Sequence, residues 1–378
     1  MPFQGVSVLE QRARFVAEAM VEGSNLRALC RSYGISPSTG YKWLARVSAG
    51  GGVEDRSRRP HCSPRATPAS IERMIVALRG EYPCWGGRKI HHVLRRRGVV
   101  PLPHANTITG ILHRHGLIGE EASAARHAFQ RFERATANEL WQIDFKGHFP
   151  VGGGRCHPLT VVDDHSRFAV SLVACPDEGR KGVQAALRKA FGRYGLPEAM
   201  LMDNGPPWGT DGRHRHTRLT AWLMRLGVAP CHGRPFHPQT RGKNERFNGT
   251  LKREVIAGRR FEDLAAVQRC FDLWRHIYNH ERPHQAIGDE PPDTRFRDSP
   301  RPFPKELPDI LYPPDCLVRW VQKDGRISFM NRPVFVSNAF AGHPIGLRPS
   351  QSDGVFDILF CQFRVGRLDL TMEDNADA

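Results

Sequence analysis

The 378-residue chain lacks paired cysteines. Its nine cysteines, at 30, 62, 84, 156, 175, 231, 270, 316 and 361, stand singly and are odd in number. With no C-x-x-C pair, reduced and mostly buried thiols in a cytosol fit better than a disulfide framework. No apolar run is long enough to span a bilayer, and the N-terminus carries no apolar signal core. The expectation is a soluble, cytoplasmic protein with no membrane partner. No repeat of solenoid period is present. Acids are scarce through the first two-thirds: residues 1–137 hold 21 Lys/Arg against 10 Asp/Glu, and residues 138–260 hold 20 against 11. The remainder reverses to 14 against 18, leaving +16 overall. Such asymmetry fits simple solubility poorly and implies a polyanion as partner of the first two-thirds. The length implies two or more domains.

The N-terminal third reads as helices. Phe15, Val16, Ala19 and Met20 form one stripe, and Leu26, Leu29 and Cys30 another. Gly34-Ile35-Ser36-Pro37 makes a tight turn in which Ser36 caps the next helix and Pro37 suits its first turn. That helix buries Tyr41 or Trp43 with Leu44 and offers Ser38, Thr39, Lys42 and Arg46 outward. This is the helix-turn-helix plan, whose second helix enters a DNA major groove; the same pattern also suits a plain helical hairpin. Beyond Gly50-Gly51-Gly52, Arg56, Arg58 and Arg59 lie in a proline-rich basic stretch, either a minor-groove arm or a soluble linker. From Pro68 the helical period returns on Ile71, Ile75 and Leu78. A helix over 88–97 turns Ile90 and Leu94 inward and Arg88 and Lys89 mostly outward as candidate DNA contacts, and a third carries Ile108, Ile111 and Leu112. This is a second unit of the same type. His91, His92, His113 and His115 have no cysteine pair at finger spacing, so phosphate contacts or surface positions suit them better than zinc. Residues 121–134 read as a connecting helix.

At Glu139 the period changes. Residues 140–145, 158–163 and 168–173 read as strands of an antiparallel meander. An amphipathic helix follows over 182–194, then a short buried strand over 199–203, a helix over 219–226, a brief strand over 228–231 and a helix holding Glu245. The pattern implies one mixed sheet with helices packed on it. Asp144 follows an apolar strand segment, and Asp203 ends another, where open α/β sheets place their sites. Glu245 stands among Lys243, Arg246, Lys252 and Arg253, and taken alone also reads as a surface acid tempering its basic neighbours. Three carboxylates at one edge repel unless a hard divalent cation joins them, and Mg²⁺ suits such a set. Two ions suit in-line phosphoryl transfer.

Four motifs then stand in order: W-Q-I-D-F, V-V-D-D-H-S-R, D-N-G-P-P and H-P-Q-T-R-G-K-N-E-R-F-N-G-T-L-K-R-E. Together they resemble the integrase core of bacterial insertion-sequence transposases, in the retroviral-integrase-like DDE superfamily. The resemblance covers about 138–297 and implies a ribonuclease H-like fold. It also implies that Asp144, Asp203 and Glu245 are the metal-binding catalytic triad for Mg²⁺ or Mn²⁺, two ions being expected. Lys252, seven residues past Glu245, matches a position near the DNA end, and with the acids placed as metal ligands, Lys243, Arg246, Lys252 and Arg253 would hold the DNA phosphates. Asp163 and Asp164 match a stretch that is not catalytic. The 41 residues between Asp203 and Glu245 exceed the superfamily's usual interval, and the excess falls at 209–217. The implied reaction is hydrolysis at an element end followed by attack of the freed 3′-hydroxyl on target DNA. The implied partners are double-stranded element ends and target, and a second copy of the chain, in a dimer or larger assembly.

Residues 291–314 read as an extended proline-rich connection, and the short strands from Leu317 as a small antiparallel β-barrel. The expected organisation is a helix-turn-helix domain over 1–50, a basic linker over 51–67, a second helix-turn-helix domain over 68–118 and a connecting helix over 119–137. A ribonuclease H-like core over 138–297, a linker over 298–316 and a barrel over 317–372 follow. Two other readings share much of this evidence: a DNA-binding regulator with an inactive core, and a metal-dependent nuclease without joining activity.

Overall fold

The computed structural model describes residues 7–56, 66–118, 133–209, 216–232 and 242–371. The expected connecting helix lies mostly outside them, as do most of the 209–217 segment and the loop leading to Glu245. The chain divides into two compact units, Met1–Ala66 and Thr67–Ala378. Among the described residues no helix is long and apolar enough to cross a membrane.

The first unit contains α1 (Val8–Ala19), α2 (Leu26–Ser32) and α3 (Pro37–Ser48). Each start is capped as the sequence dictates. Ser7 and Glu10 form a reciprocal capping box, Asn25 accepts from Ala28 N–H, and Ser36 accepts from Thr39 N–H. Of the two candidate aromatics on α3, Trp43 is buried and Tyr41 exposed. Phe15, Val16 and Cys30 complete the core. The helices meet closely at Gly40 of α3, where an added Cβ would collide with Cys30 Sγ and lie 3.0 Å from the Phe15 ring.

The second unit opens with α4 (Ala69–Glu81), α5 (Gly87–Arg96) and α6 (Ala105–Arg114). Ile71, Ile75, Leu78, Ile90, Leu94, Ile108, Ile111 and Leu112 are all buried in one cluster, as their spacing predicts. Trp85 is buried beneath them and stacks on Tyr82 with ring centroids 3.9 Å apart.

A mixed six-stranded sheet follows: β1 (Leu140–Phe145), β2 (Phe149–Val151), β3 (Gly154–Asp163), β4 (Ala169–Cys175), β5 (Ala199–Met202) and β6 (Ala229–His232). Its order is β2-β3-β1-β5-β6, with β4 also on β3. β1, β3 and β4 form the antiparallel meander, whereas β1, β5 and β6 run parallel. The crossovers are α7 (Arg180–Tyr194) and α8 (Arg218–Arg225). Strand alternation separates the faces. Trp141, Ile143, Leu159 and Val161 pack on α7 and α8. Val162, Ala169 and Leu172 face α9 (Gly242–Leu251) and α10 (Leu264–His280) through Phe247, Leu251, Phe271 and Trp274. After α9 the helix widens into one π turn, Lys252–Ile256. Glu254 anchors that turn, accepting from Arg282 Nη2 (3.0 Å) and Trp274 Nε1 (2.9 Å).

Two expectations change downstream. The proline-rich segment is extended but packed. Arg301 donates to the carbonyls of Pro197, Leu226 and Gly227, and Phe296 stacks on Phe168. Arginine can satisfy several core carbonyls at once, which proline content does not reveal. The expected barrel is instead an open sheet. β7 (Leu317–Trp320), β10 (Pro344–Pro349), β11 (Val355–Phe360) and β12 (Phe363–Asp369) run in the order β12-β11-β10-β7. β8 (Arg326–Phe329) and β9 (Arg332–Phe335) form a separate hairpin. Side chains rather than strand pairing complete this core, because Phe329 meets Phe356 and α8 contributes Ala221 and Met224. Alternation identifies the apolar face of each strand but not whether the last strand pairs with the first.

Gly40→Val should therefore destabilise the first unit by about 1–3 kcal/mol through overpacking. Ala45→Val, at an exposed position of the same helix, should change little. Hydrogen exchange of the α1–α3 amides in the full chain measures both; equal protection in the two variants would contradict the close contact.

Candidate active site

Asp144 is the fifth residue of β1, and Asp203 directly follows β5. The parallel register pairs Leu140 with Ala199, Trp141 with Met200 and Gln142 with Leu201. Continued by two residues, it brings Asp144 level with Asp203. Adjacent strands lie about 4.8 Å apart. Side chains two residues apart share a face, so Gln142 and Asp144 point away from Trp141 and Ile143, toward α9. Glu245 is exposed in the first turn of α9. The three acids line one cavity of about 230 Å³ with Gln142, Ile143, Leu201, Met202 and Asn244.

Neighbours hold two of these acids. Asn248 Nδ2 donates to Asp144 Oδ2 (2.9 Å), and Thr160 Oγ1 donates to the Asp144 carbonyl (3.1 Å). Asp203 Oδ1 accepts from Asn204 N–H (2.7 Å), and its carbonyl accepts from His232 Nδ1 (3.0 Å). The sequence reading did not single out Asn248, although its place three residues past Glu245 puts it on the same helical face. Gln142, Asn244 and Thr160 were also missed. Gln142 carried a signal, sitting two residues before Asp144 on the same strand face.

Asp163 and Asp164 are buried beside the site. Asp163 accepts from Ser166 N–H and Oγ and from Asn138 N–H. Burial nevertheless pushes its carboxyl above the ordinary aspartate range. Asp164 Oδ1 accepts from Gln142 Nε2 (2.8 Å) and pairs with Lys243 Nζ (2.5 Å). Burial pulls the Lys243 ammonium below its ordinary range, with the Asp164 contact opposing that shift.

The residues expected on DNA fall into two groups. Ser38, Lys42, Arg56, Arg246 and Lys252 are exposed. Thr39 is half-buried and bonds Ser36 Oγ, and Arg46 lies against the Trp43 ring, 5.1 Å from its centroid. Lys243 is turned inward, as above. Arg88 pairs with Asp289 (2.8 Å), and Lys89 lies 4.0 Å from Glu254. With Tyr82 donating to Glu281 (3.0 Å), these contacts seat the α4–α6 unit on the core. Arg58 and Arg59 lie outside the described residues. A larger cavity of about 670 Å³ lies at that seat, among Arg88, His91, His92, Arg95, Arg96, His104, Asp289 and Glu290. It contains none of the three acids, so the smaller cavity is the place for chemistry.

Among the described residues no three His, Cys, Asp or Glu side chains are gathered tightly enough to ligate an ion. The acids share a cavity without converging, as bare carboxylates should. The donor set still fits a hard cation: three carboxylates from three elements surround the space. Asn244 Oδ1, in the same lining, finds no hydrogen-bond donor among the described residues and can accept from a cation's water.

A mixed sheet with acids at neighbouring strand ends, a third on the helix across them and three-helix readers upstream defines an integrase-type polynucleotidyl transferase. Residues 134–238 and 226–292 match models of the integrase core domain. Residues 11–61 match a helix-turn-helix domain, 39–112 a homeodomain-like domain, and 316–376 the C-terminal domain of IS481 family transposases. The insertion element IS407 uncharacterized 31.7 kDa protein of Burkholderia multivorans is 31% identical over 57% of this chain and 76% of its own length. The insertion element IS476 uncharacterized 39.2 kDa protein of Xanthomonas euvesicatoria is 26% identical over 76% of this chain and 78% of its own. Transposase InsD for insertion element IS2A/D/F/H/I/K of Escherichia coli is 25% identical over 58% and 75%. The chain belongs to the integrase-core transposases of insertion elements. It is a DDE polynucleotidyl transferase acting on DNA, in a family that depends on a divalent metal.

Lys89 generates a test of how the α4–α6 unit is seated. Burial brings its ammonium down to about 8 from an ordinary 10.5, with Arg282 adding to the shift. The unfolded chain thus holds this proton more tightly. The folded state bears the full cost below pH 8, and the cost fades as pH rises toward 10.5. Lys89→Met should raise stability at pH 7 by about 1–3 kcal/mol, a gain that disappears near pH 10.5. Denaturant unfolding at the two pH values measures it.

Proposed function

We propose that Asp144, Asp203 and Glu245 are the catalytic acids and hold two Mg²⁺ ions, which Mn²⁺ can replace. The observation that carries this is their shared cavity, with Asp144 and Asp203 on neighbouring parallel strands and Glu245 on the helix across them. Bound there, the cations supply the charge that eases attack on a phosphodiester and departure of the leaving oxygen. The chain supplies alignment. Asn248 holds the Asp144 carboxylate, and α9 presents Arg246 while the π turn presents Lys252, both exposed to DNA phosphates. Water first cleaves a phosphodiester at the element's end. The freed 3′-hydroxyl then attacks a target phosphodiester, with no covalent enzyme intermediate. The first step consumes a phosphodiester and leaves a 3′-hydroxyl and a 5′-phosphate; the second exchanges one phosphodiester for another and releases a target 3′-hydroxyl, so positioning carries much of the rate.

End recognition falls to Ser38, Thr39, Lys42 and Arg46 on α3, with Arg56, Arg58 and Arg59 as a basic arm along the duplex. Because an element has two ends, the working form is a dimer or larger assembly. A cytoplasmic, nucleoid-bound location suits that substrate. Asp144→Asn, Asp203→Asn and Glu245→Gln should each reduce cleavage and joining at least about 10³-fold while end-DNA binding survives. A Mg²⁺-dependent assay with an element end and a target plasmid, beside a gel-shift measurement, checks both. Strand transfer at the wild-type rate by any of the three would remove that residue from the triad, and nicks without joined product would make the protein a nuclease.

A further inference from the structure

We infer that Asp164 and Lys243 form a buried clasp that sets the position of Glu245 relative to Asp144. The inference rests on the proposed triad and concerns residues outside it. Lys243 stands two residues before Glu245 in the first turn of α9. Its Nζ pairs with Asp164 Oδ1 (2.5 Å) and donates to the Asp164 carbonyl (3.2 Å). The same Oδ1 accepts from Gln142 Nε2 (2.8 Å), two residues before Asp144 on the same face of β1. Asp164 Oδ2 accepts from the main-chain N–H of Arg134 (2.9 Å). One carboxylate thus joins the strand bearing the first acid to the helix bearing the third.

The burial of this arrangement gives it stiffness. The Asp164 side chain is 1% exposed and that of Lys243 15%. A buried ion pair with additional hydrogen bonds contributes little net stability, yet breaking it strands a charge, so such pairs favour one geometry over others. The clasp also accounts for a lysine in a basic helix that does not face solvent. Lys243 neutralises Asp164, and Arg246 and Lys252 remain outward. Strand pairing fixes the backbones that carry Asp144 and Asp203. Glu245 lies on a separate element, which needs its own fastening at its N-terminal end.

Asp164 and Lys243 are positioning residues, and the test must separate position from folding. Asp164→Asn, Lys243→Met and the double variant are compared in the full chain, with Lys243→Arg as the conservative replacement. Two readouts are taken: element-end cleavage, and binding of Mn²⁺ alone by calorimetry without DNA. Each single variant should slow cleavage about 10–100-fold and weaken Mn²⁺ binding several-fold, leaving end-DNA affinity unchanged. The double variant should be no worse than either single one, as for two residues in one interaction, and Lys243→Arg should recover most of both readouts. If Asp164→Asn does not fold, Lys243→Met and Lys243→Arg decide alone. Wild-type cleavage and Mn²⁺ binding in Lys243→Met, or losses that add in the double variant, would overturn the clasp. Asp144→Asn, Asp203→Asn and Glu245→Gln run alongside. Activity in those would overturn the triad, whereas their inactivity with an unaffected Lys243→Met would overturn the clasp only.

Discussion

The parallel pairing of β1 with β5 is the constraint on which the site depends. Its register runs Leu140–Ala199 to Gln142–Leu201, so both strands deliver an aspartate to the same sheet edge and the same face. A slip of one residue would turn one carboxylate into the apolar layer under α7, among Trp141, Ile143 and Met202. That layer protects the register. The apolar layer on one face of β1 and β5 therefore specifies the geometry of the acids on the other.

Holding acids together has an electrostatic cost, and the surrounding residues distribute it. Asp163 and Asp164 are buried but receive hydrogen bonds from Ser166, Asn138, Gln142 and the Arg134 backbone. The cavity carboxylates keep access to solvent and to an ion. Farther along, Glu254 is closed off by Arg282 and Trp274. The result is a gradient along α9 and its π turn, from an open acid at Glu245 to a locked one at Glu254. Exposed Lys252 and Arg253 stand just ahead of the locked acid.

Much of this was legible in the sequence, for physical reasons. Capping residues and apolar periods are local, so both three-helix units and most of their buried positions could be read directly, although Met20 at the end of the first stripe is exposed. The switch from period 3.6 to period 2 at Glu139 announced the sheet, and the acids lay at recognisable strand ends. What stayed hidden is non-local. Trp43 rather than Tyr41 is buried because α1 and α2 cover one side of α3. Lys243 reads as a phosphate contact because its buried partner, Asp164, lies 79 residues earlier in the chain. Arg88 and Lys89 read as outward basic residues because Asp289 and Glu254 lie far along the chain. Barrel closure and the packing of the proline-rich segment likewise depend on contacts that no local pattern encodes.

The central claim is that Asp144, Asp203 and Glu245 form one metal site, and anomalous diffraction from crystals of the full chain soaked in Mn²⁺ tests it most directly. The account predicts Mn²⁺ density in the cavity between Asp144 and Asp203, within about 2–2.5 Å of their carboxylate oxygens, with Glu245 drawn toward it. Ordered Mn²⁺ elsewhere on the protein, with that cavity empty at saturating metal, would contradict it.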